Sequence, residues 1–418
     1  MAMDPPAVDP RAPFEGSFFV PELRITRRWF DARDLTPELR SEVLELLRVA
    51  FNDQVSWFAL PVAPEDHFDW KFRDRPTGTT IGLTLDPEGR VFGFIGSVRR
   101  IWYIHGKPYV NRAGYDLCRA PEWQGRGVQR ALNPFRGSEW HPSEAFSMGY
   151  VTHPADRHVS IQLGNVAPAN ETHDYVRHLR ARPLRRASAL LSRARTRLRQ
   201  RRRSSEPAPL SNTSRVVRER ERTRRDRLVE GGRRARLVVA SWLARRPAPR
   251  GGDWTISTLT RFEERHRQFI SDAMRQFEFV AERSPTYLNW RYCDERAGPF
   301  TVRLAQVDGV DVGYAVTRVF AGAAYLADIL VLPGQLTVAE ALIRDSIELA
   351  RTGGADFIST RLPKHHPYGP ALARVGYFDI GHVGGELLDP RDTPARDLAF
   401  FEDPHARIHH VLADSDVV

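Results

Sequence analysis

The chain has 418 residues, with 62 lysines and arginines, 52 aspartates and glutamates and a formal net charge of +10. This length allows two domains with separate cores, and no apolar stretch is long enough to cross a bilayer. Only Cys118 and Cys293 are present, which excludes a disulfide framework and a multi-cysteine metal site. The N-terminus lacks a secretory signal pattern, so we expect a cytoplasmic protein. We also expect no metal ion.

In chain order, the first half predicts one helix followed by a strand meander. Apolar residues at helical spacing predict a helix over 36–51. Alternating or apolar runs between Gly/Pro turns predict strands at 80–85, 91–100 and 109–118. A helix then begins at Val128 and is disturbed by Pro134. A strand at 145–152 and a short helix at 157–163 complete this half.

Between the halves lies a segment that carries most of the basic charge. Residues 175–250 contain 25 arginines and five acids, a net charge of +20, so the remaining residues carry about −10. Two candidate amphipathic helices, at 184–199 and 233–246, are separated by a Ser/Pro-rich stretch. Three interpretations stay open: a solvated linker, attraction to anionic lipid at the inner membrane face, and contact with nucleic-acid phosphates.

The second half repeats the order of the first. A helix is predicted over 262–282 and a last extended segment over 377–388. Between them, the pattern predicts strands at 300–307, 312–319, 324–332 and 356–361, and helices at 338–351 and 368–374.

Two short motifs mark this repetition. Trp70-Lys71-Phe72 and Trp290-Arg291-Tyr292 are each followed by a turn and an extended run, and 23 residues separate the tryptophan from Gly93 or Gly313 in both. Each copy then has an apolar strand with one embedded acid, Asp116 or Asp328. Such self-similarity indicates two copies of one supersecondary unit.

A glycine-rich turn follows the strand that carries Asp116. Gly125 and Gly127 stand between the end of that strand and the helix at Val128, where backbone N–H groups and a helix N-terminus suit a pyrophosphate. The segment resembles the acyl-CoA loop of the GNAT N-acyltransferase superfamily, Gln/Arg-x-x-Gly-x-Gly/Ala. Gln124 and Gly127 fit this pattern, whereas Gln129 replaces its last small residue.

The resemblance implies a tandem GNAT fold, similar in layout to mycothiol synthase and the Fem-type transferases. Each domain is expected to have a mixed, mostly antiparallel sheet flanked by helices, in an α+β or α/β arrangement. The expected divisions are a flexible tail over 1–23, a domain with the acyl-CoA loop over 24–182, an Arg-rich insert over 183–252, a degenerate second domain over 253–390 and a C-terminal tail over 391–418.

Acyl transfer from a thioester to an amine requires a polarised carbonyl, a deprotonated amine and a protonated leaving thiolate. The resemblance places the co-substrate, acetyl-CoA or another acyl-CoA, on Leu117, Cys118, Arg119, Gln124, Gly125, Arg126, Gly127, Val128 and Gln129. Asp116 is the candidate base, or else a strand-end acid bonded to nearby turns. The candidates for handling the thiol proton are Tyr150, His153 and His158; a core aromatic and exposed histidines are the alternatives.

Other reactive residues are assigned structural roles. Cys118 is expected to be a buried, inert thiol. The loop at 332–337 has one glycine, a proline and no arginine, which predicts no CoA site in the second half. Histidines 365, 366, 405, 409 and 410 are expected at the surface rather than in a metal site. Adjacent histidines on an extended segment point to opposite faces and so do not share one metal ion.

The resulting hypothesis is an N-acyltransferase, specifically an N-acetyltransferase, that acts on an amine of a small molecule or amino sugar. Its first half is active and its second half shapes the acceptor cleft. Two alternatives stay open. A Fem-like transferase using aminoacyl-tRNA is suggested by the paired domains and the basic insert. A non-catalytic acyl-CoA-binding or scaffold protein is suggested by Gln129 and Pro134.

Overall fold

The computed structural model describes residues 9–12, 14–51, 60–151, 161, 165–179, 253–381, 385–390, 393 and 395–414. The expected Arg-rich segment at 183–250 lies outside these residues, as does the expected helix at 157–163 apart from Ile161. Among the described residues, no helix combines the length and hydrophobicity needed to span a membrane.

Sixteen strands are described. They are β1 (Gly16–Val20), β2 (Ile25–Asp31), β3 (Thr79–Leu85), β4 (Val91–Ile104), β5 (Lys107–Arg119), β6 (Glu144–Val151), β7 (Thr172–His178), β8 (Trp254–Leu259), β9 (Phe279–Ala281), β10 (Phe300–Val307), β11 (Val310–Phe320), β12 (Ala323–Val331), β13 (Phe357–Pro363), β14 (Phe378–Asp379), β15 (Gly385–Asp389) and β16 (Ile408–His409).

The α-helices in the same part of the chain are α1 (Pro37–Phe51), α2 (Pro64–Phe68), α3 (Val128–Leu132), α4 (Arg267–Met274), α5 (Pro285–Leu288), α6 (Leu336–Thr352), α7 (Gly369–Arg374) and α8 (Ala395–Leu398). Two single-turn π-helices, Asp69–Arg73 and Asn289–Cys293, directly follow α2 and α5.

The strands form two mixed sheets, each flanked by helices, which confirms the predicted fold class. The first sheet has the order β1-β2-β3-β4-β5-β6-β15, and β9 pairs with both β4 and β16. The second has the order β14-β7-β13-β12-β11-β10-β8. Along the main strand order of each sheet one parallel contact, β5 with β6 or β12 with β13, interrupts antiparallel pairing, and β16 also pairs with β9 in parallel.

Each sheet contains strands from both halves of the sequence. β7 follows β6 in the sequence but pairs with β13 of the second sheet, while β15 from the second half pairs with β6 of the first. The sheets therefore do not coincide with the sequence divisions at 24–182 and 253–390. The predicted extended segment at 377–388 splits into β14 and β15, which lie in different sheets.

The repeated tryptophan motifs meet at the contact between the halves. The Trp70 and Trp290 rings stack with centroids 5.0 Å apart and planes 16° from parallel. Each indole N–H donates to the backbone carbonyl of the other tryptophan, at 2.7 Å from Trp70 and 2.9 Å from Trp290. The contact is reciprocal, as two copies of one unit related by an approximate two-fold axis would make it.

The two faces of the first sheet differ in chemistry. One face is apolar and packs against α1, with Val43 and Leu47 in the same cluster as Ile81 and Phe94. On the other face a row of paired residues crosses the strands from β2 to β5. In this row Arg27 pairs with Thr84, Thr84 with Gly93 and Gly93 with Arg119. On this polar face Gly82 and Gly93 carry no side chain, which leaves room for the neighbouring Arg27 and Thr84 side chains.

Several predicted element types and positions are wrong. The helix expected at 262–282 is limited to α4, and the apolar residues after it form β9, because a short apolar run fits a buried strand as well as a helix. The predicted N-terminal tail contains β1, which pairs with β2. The predicted C-terminal tail contains buried residues, among them His409, Val411 and Asp414.

Candidate functional site

The glycine turn after β5 has a backbone that its glycines permit. A 3-10 turn over Pro121–Trp123 is followed by Gly125 and Gly127, both at φ +74°, and α3 begins directly after Gly127. Residues other than glycine rarely adopt such φ values. Gly125, Arg126 and Gly127 are exposed. The predicted turn-to-helix junction is confirmed.

The backbone donors of this turn are available. Within the described part of the chain, the N–H groups of Gly125, Arg126, Gly127 and Val128 have no protein acceptor. The backbone hydrogen bond that connects α3 to the turn runs from the Ala131 N–H to the Gly127 carbonyl, so it uses a carbonyl of the turn and none of these four N–H groups. Unsatisfied N–H groups at the start of a helix favour an anion through hydrogen bonds and the local dipole.

Aromatic packing holds the turn against the sheet. The Trp123 ring stacks on Phe92 of β4, with centroids 4.0 Å apart. The Arg126 guanidinium lies 5.1 Å from the centre of the Trp123 ring. An exposed positive charge is thereby kept beside the glycines, where an anion bound to the turn would be.

Gln129, which departs from the loop pattern, is tied to its neighbours. Its side-chain oxygen accepts a hydrogen bond from Arg119 at the end of β5, and its side-chain nitrogen donates to Asn133 Oδ1 at 3.2 Å. Helix α3 ends at Leu132 and continues as a 3-10 turn over Asn133–Glu139, as Pro134 predicts. Gln129 therefore links the helix to the sheet.

β5 first diverges from β6 and then contains a bulge. Asp116 and Leu117 together oppose the single residue Ile95 of β4, and Asp116 has φ +52°. Pairing between β5 and β6 ends at Arg112, beyond which the two strands separate. The last seven residues of β5 thus border an opening beside the glycine turn, where the resemblance places the acyl group.

Asp116 is held in an ion pair. Its Oδ2 lies 2.8 Å from Lys71 Nζ, and the two side chains are 8% and 9% exposed. Lys71 comes from the Trp70-Lys71-Phe72 motif, and its Nζ also lies 5.4 Å from the centre of the Tyr115 ring. The repeated motif is thereby connected to the bulge. A carboxylate so enclosed is poorly placed to reach a substrate amine directly.

Leu117 and Cys118 differ in exposure. The Leu117 side chain is 53% exposed beside the opening, whereas Cys118 is buried in the apolar face. Burial, together with the negative charge of Asp116, raises the pKa of the Cys118 thiol to about 12. The thiol is therefore protonated at neutral pH and is not a nucleophile.

The remaining candidates lie at or beyond the end of β6. Tyr150 belongs to β6, and its backbone pairs with Glu386 of β15. His153 and His158 lie outside the described residues. The structure thus brings the loop, the bulge and Asp116 together, whereas the roles of Tyr150, His153 and His158 stay predictions.

The second half has the same bulge with different surroundings. Ala327 is the extra residue of β12, next to Asp328. The Asp328 carboxylate is buried, and its Oδ2 lies 2.8 Å from Arg283 Nε, 2.9 Å from the Tyr292 hydroxyl and 3.1 Å from the Tyr314 hydroxyl. This acid belongs to a buried network rather than to an accessible site.

The chain's own C-terminal segment occupies the opening of the second sheet. β12 and β13 pair only over Ala323–Tyr325 and then diverge, and the 3-10 turn Leu412–Asp414 contacts both strands. Asp414 Oδ2 lies 2.7 Å from Arg283 Nη2. The space that borders the glycine turn in the first half is therefore filled with protein in the second.

Sequence reasoning missed the buried histidines of this network. His366 Nε2 lies 2.9 Å from His409 Nδ1, and both rings are buried, as is His410, so the expectation of surface histidines is wrong for these three. Desolvation lowers the pKa of His366 and of His409. Their short, unpatterned C-terminal segment gives no periodic signal of burial. No three His, Cys, Asp or Glu side chains among the described residues are placed to hold a metal ion.

The sequence matches no protein-family profile and no curated protein. Its fold is similar to that of a conserved protein of unknown function from Enterococcus faecalis, described as a probable N-acyltransferase. That comparison has a TM-score of 0.53 and 12% identity, covering 87% of this chain and 72% of that one.

Two further solved structures are similar over most of the chain. A tandem GNAT protein from the clavulanic acid biosynthesis pathway has a TM-score of 0.49 and 12% identity, covering 88% of this chain and 100% of that one. Saccharomyces cerevisiae N-myristoyltransferase with bound myristoyl-CoA and inhibitors has a TM-score of 0.48 and 12% identity, covering 87% and 80%. At an identity this low the likeness to the Enterococcus protein shows the fold alone. The two mixed sheets flanked by helices agree with the predicted pair of GNAT-like domains.

Proposed function

We propose that this protein is an N-acyltransferase that moves an acyl group from acyl-CoA to an amine of a small molecule, with the active site in its first half. The observation that carries the proposal is the exposed glycine turn, whose four N–H groups, from Gly125 to Val128, have no acceptor among the described residues. The turn adjoins the opening between β5 and β6. A pyrophosphate on the turn would direct the thioester toward that opening.

In the proposed reaction the amine nitrogen attacks the thioester carbonyl carbon. The C–N bond forms, the C–S bond breaks, the amine loses one proton to a base, and the CoA sulfur takes one proton. Backbone N–H groups at the bulge near Leu117 would stabilise the developing negative charge on the carbonyl oxygen.

We assign Asp116 a positioning role rather than the role of base. Its ion pair with Lys71 holds the bulge in a φ region that non-glycine residues rarely adopt. The bulge in turn sets the course of the β5 edge at Leu117. Tyr150, His153 and His158, at or after the end of β6, stay the proposed proton-transfer residues.

The second half supports the site without duplicating it. Its opening is occupied by the segment that ends at Asp414, and its loop over 332–337 lacks the paired glycines. It contributes β15, which borders β6, and the Trp290 contact, so it forms one wall of the acceptor side.

Binding of acetyl-CoA, measured by isothermal titration calorimetry, tests the proposal. Gly127→Leu places a side chain beside the free amides; an added Cβ meets no protein atom within 4 Å, so the cost to the fold is chiefly left-handed strain of about 1–2 kcal/mol. Gly309→Leu is the matched control, since Gly309 has φ +78° and equal space in the β10–β11 turn.

We expect Gly127→Leu to raise the Kd of acetyl-CoA at least tenfold and Gly309→Leu to leave it unchanged. Failure of the folded wild-type protein to bind acetyl-CoA or any other CoA compound would refute the proposal. So would equal binding by both variants.

A further inference from the structure

A cavity of about 110 Å³ lies between the polar face of the first sheet and the segment that follows the glycine turn. Its walls on the sheet side include Arg27, Arg112 and Arg119, and its cover includes Gln129 and Glu139. Leu117 and Cys118 also line it. The cavity therefore adjoins the part of β5 where we place the acyl group.

Glycines in the sheet leave room for the arginines. A Cβ at Gly82 would lie 2.3 Å from Arg27 Nη2, so the Arg27 side chain occupies the space over that glycine. A Cβ at Gly93 would lie 3.0 Å from Thr84 Oγ1 and 3.7 Å from Arg119 Cγ. The glycines therefore give the long cationic side chains of the polar face room to lie beside the cavity.

The positive charge in this cavity exceeds the negative charge. Glu139 is the single acid among the lining residues, and it pairs with Arg27 at 2.8 Å and with Arg112 at 3.3 Å. Arg119 donates to the neutral Gln129 side chain, and its buried Nε has no hydrogen-bond partner in the described part of the chain. Three guanidinium groups therefore share one carboxylate.

The surrounding charges do not cancel this excess. Glu144 also attracts Arg112, but it is not among the lining residues and it attracts Arg99 as well. Burial lowers the pKa of Arg119, and the nearby charge of Arg27 lowers it further. An unpaired, half-buried cation next to another cation is the environment in which an added carboxylate is most stabilised.

We propose that this cavity binds the terminal carboxylate of a short dicarboxylic acyl group, so that the preferred donor is a CoA thioester of a small diacid. This inference rests on the proposed function. The volume has room for about four water-sized groups, which suits a carboxylate with one or two methylene groups. Arg119 is the specificity-determining residue, because it is the lining guanidinium that has no carboxylate partner among the described residues.

The test compares the Kd values of acetyl-CoA, butyryl-CoA, succinyl-CoA and free CoA by calorimetry. The variants are Arg119→Gln, which removes the cation, and Glu139→Gln, which removes the competing carboxylate. Arg130→Gln is the control for net charge, since Arg130 is exposed on α3 and does not line the cavity.

We expect succinyl-CoA to bind at least tenfold more tightly than butyryl-CoA. Arg119→Gln should abolish that preference, Glu139→Gln should increase it, and Arg130→Gln should leave it unchanged. Acetyl-CoA binding in wild-type protein without any preference for succinyl-CoA would overturn the inference and leave the proposed function standing.

Three other outcomes would also decide against the inference or against the proposed function. Equal weakening of free CoA and succinyl-CoA by Arg119→Gln would place Arg119 at the pyrophosphate and overturn the inference. A carboxylate preference that appears among amine acceptors, and not among donors, would assign the cavity to the acceptor and overturn it too. Failure of every CoA compound to bind the folded protein would remove the proposed function itself.

Discussion

His67 gives the contact between the halves a defined dependence on pH. It lies in α2 and packs against Trp70 with ring centroids 5.0 Å apart and planes tilted by 35°. Its Nδ1 is 2.8 Å from the backbone oxygen of Arg296 in the other half. The side chain is buried. Desolvation, and then the positive charge of Lys71, lowers the pKa of His67 to about 3.

The sign and size of the effect follow from this difference in pKa. An unfolded histidine titrates at about 6.5, so the folded state resists protonation that the unfolded state accepts. The contribution of His67 to stability is complete above about pH 6.5 and is lost as the pH falls toward 3. Between pH 7.5 and 5.5 the free energy of unfolding should fall by about 1.4 kcal/mol through this group.

Urea unfolding at pH 7.5 and 5.5 measures this term as a difference between proteins. His67→Gln keeps an N–H donor for the Arg296 carbonyl but does not titrate, so the variant should lose about 1.4 kcal/mol less than wild type. His405→Gln, at an exposed histidine, is the control and should follow wild type. The reasoning is refuted if wild type and His67→Gln lose equal stability between the two pH values.

Two further predictions concern the bulge and the C-terminal segment. Asp116→Asn and Lys71→Met should each lower kcat by a comparable factor of about 10² with an unchanged pH profile, because both disturb the same ion pair; loss of one limb of the pH profile in Asp116→Asn alone would show instead that Asp116 is the base. Asp414→Ala should lower the free energy of unfolding by about 3–5 kcal/mol, because it leaves the buried Arg283 without that partner. Asp403→Ala, at an exposed position, is the control, and equal stability of the two variants in chemical denaturation would contradict the assignment.

The local features of the fold could be predicted from the sequence. The strands β3, β4 and β5 and the helices α1 and α6 match their predicted positions closely, because each rests on a periodic pattern bounded by turn residues. The glycine turn could also be placed, since its conformation depends on Gly125 and Gly127 themselves. The ion pair of Asp116 with Lys71 could not, because 45 residues separate them.

Features that depend on distant pairing could not be predicted. The exchange of β7 and β15 leaves no mark in either strand, because a strand of the same polarity pattern fits either sheet. The arginine-lined cavity has a similar cause. Arg27 and Arg119 look like ordinary strand residues until the register places them in one row across the sheet.

The two halves show how one unit can support a site in one copy and lose it in the other. Both copies have an acid in or next to a bulge, on a strand that has already diverged from its parallel neighbour. In the second copy the segment ending at Asp414 contacts both diverging strands, and Arg283 and two tyrosines enclose Asp328. An opening filled with protein cannot admit a thioester, which agrees with the absence of paired glycines from the loop over 332–337. We infer that the first copy, whose opening borders the intact turn at Gly125 and Gly127, is the one available for the proposed acyl transfer.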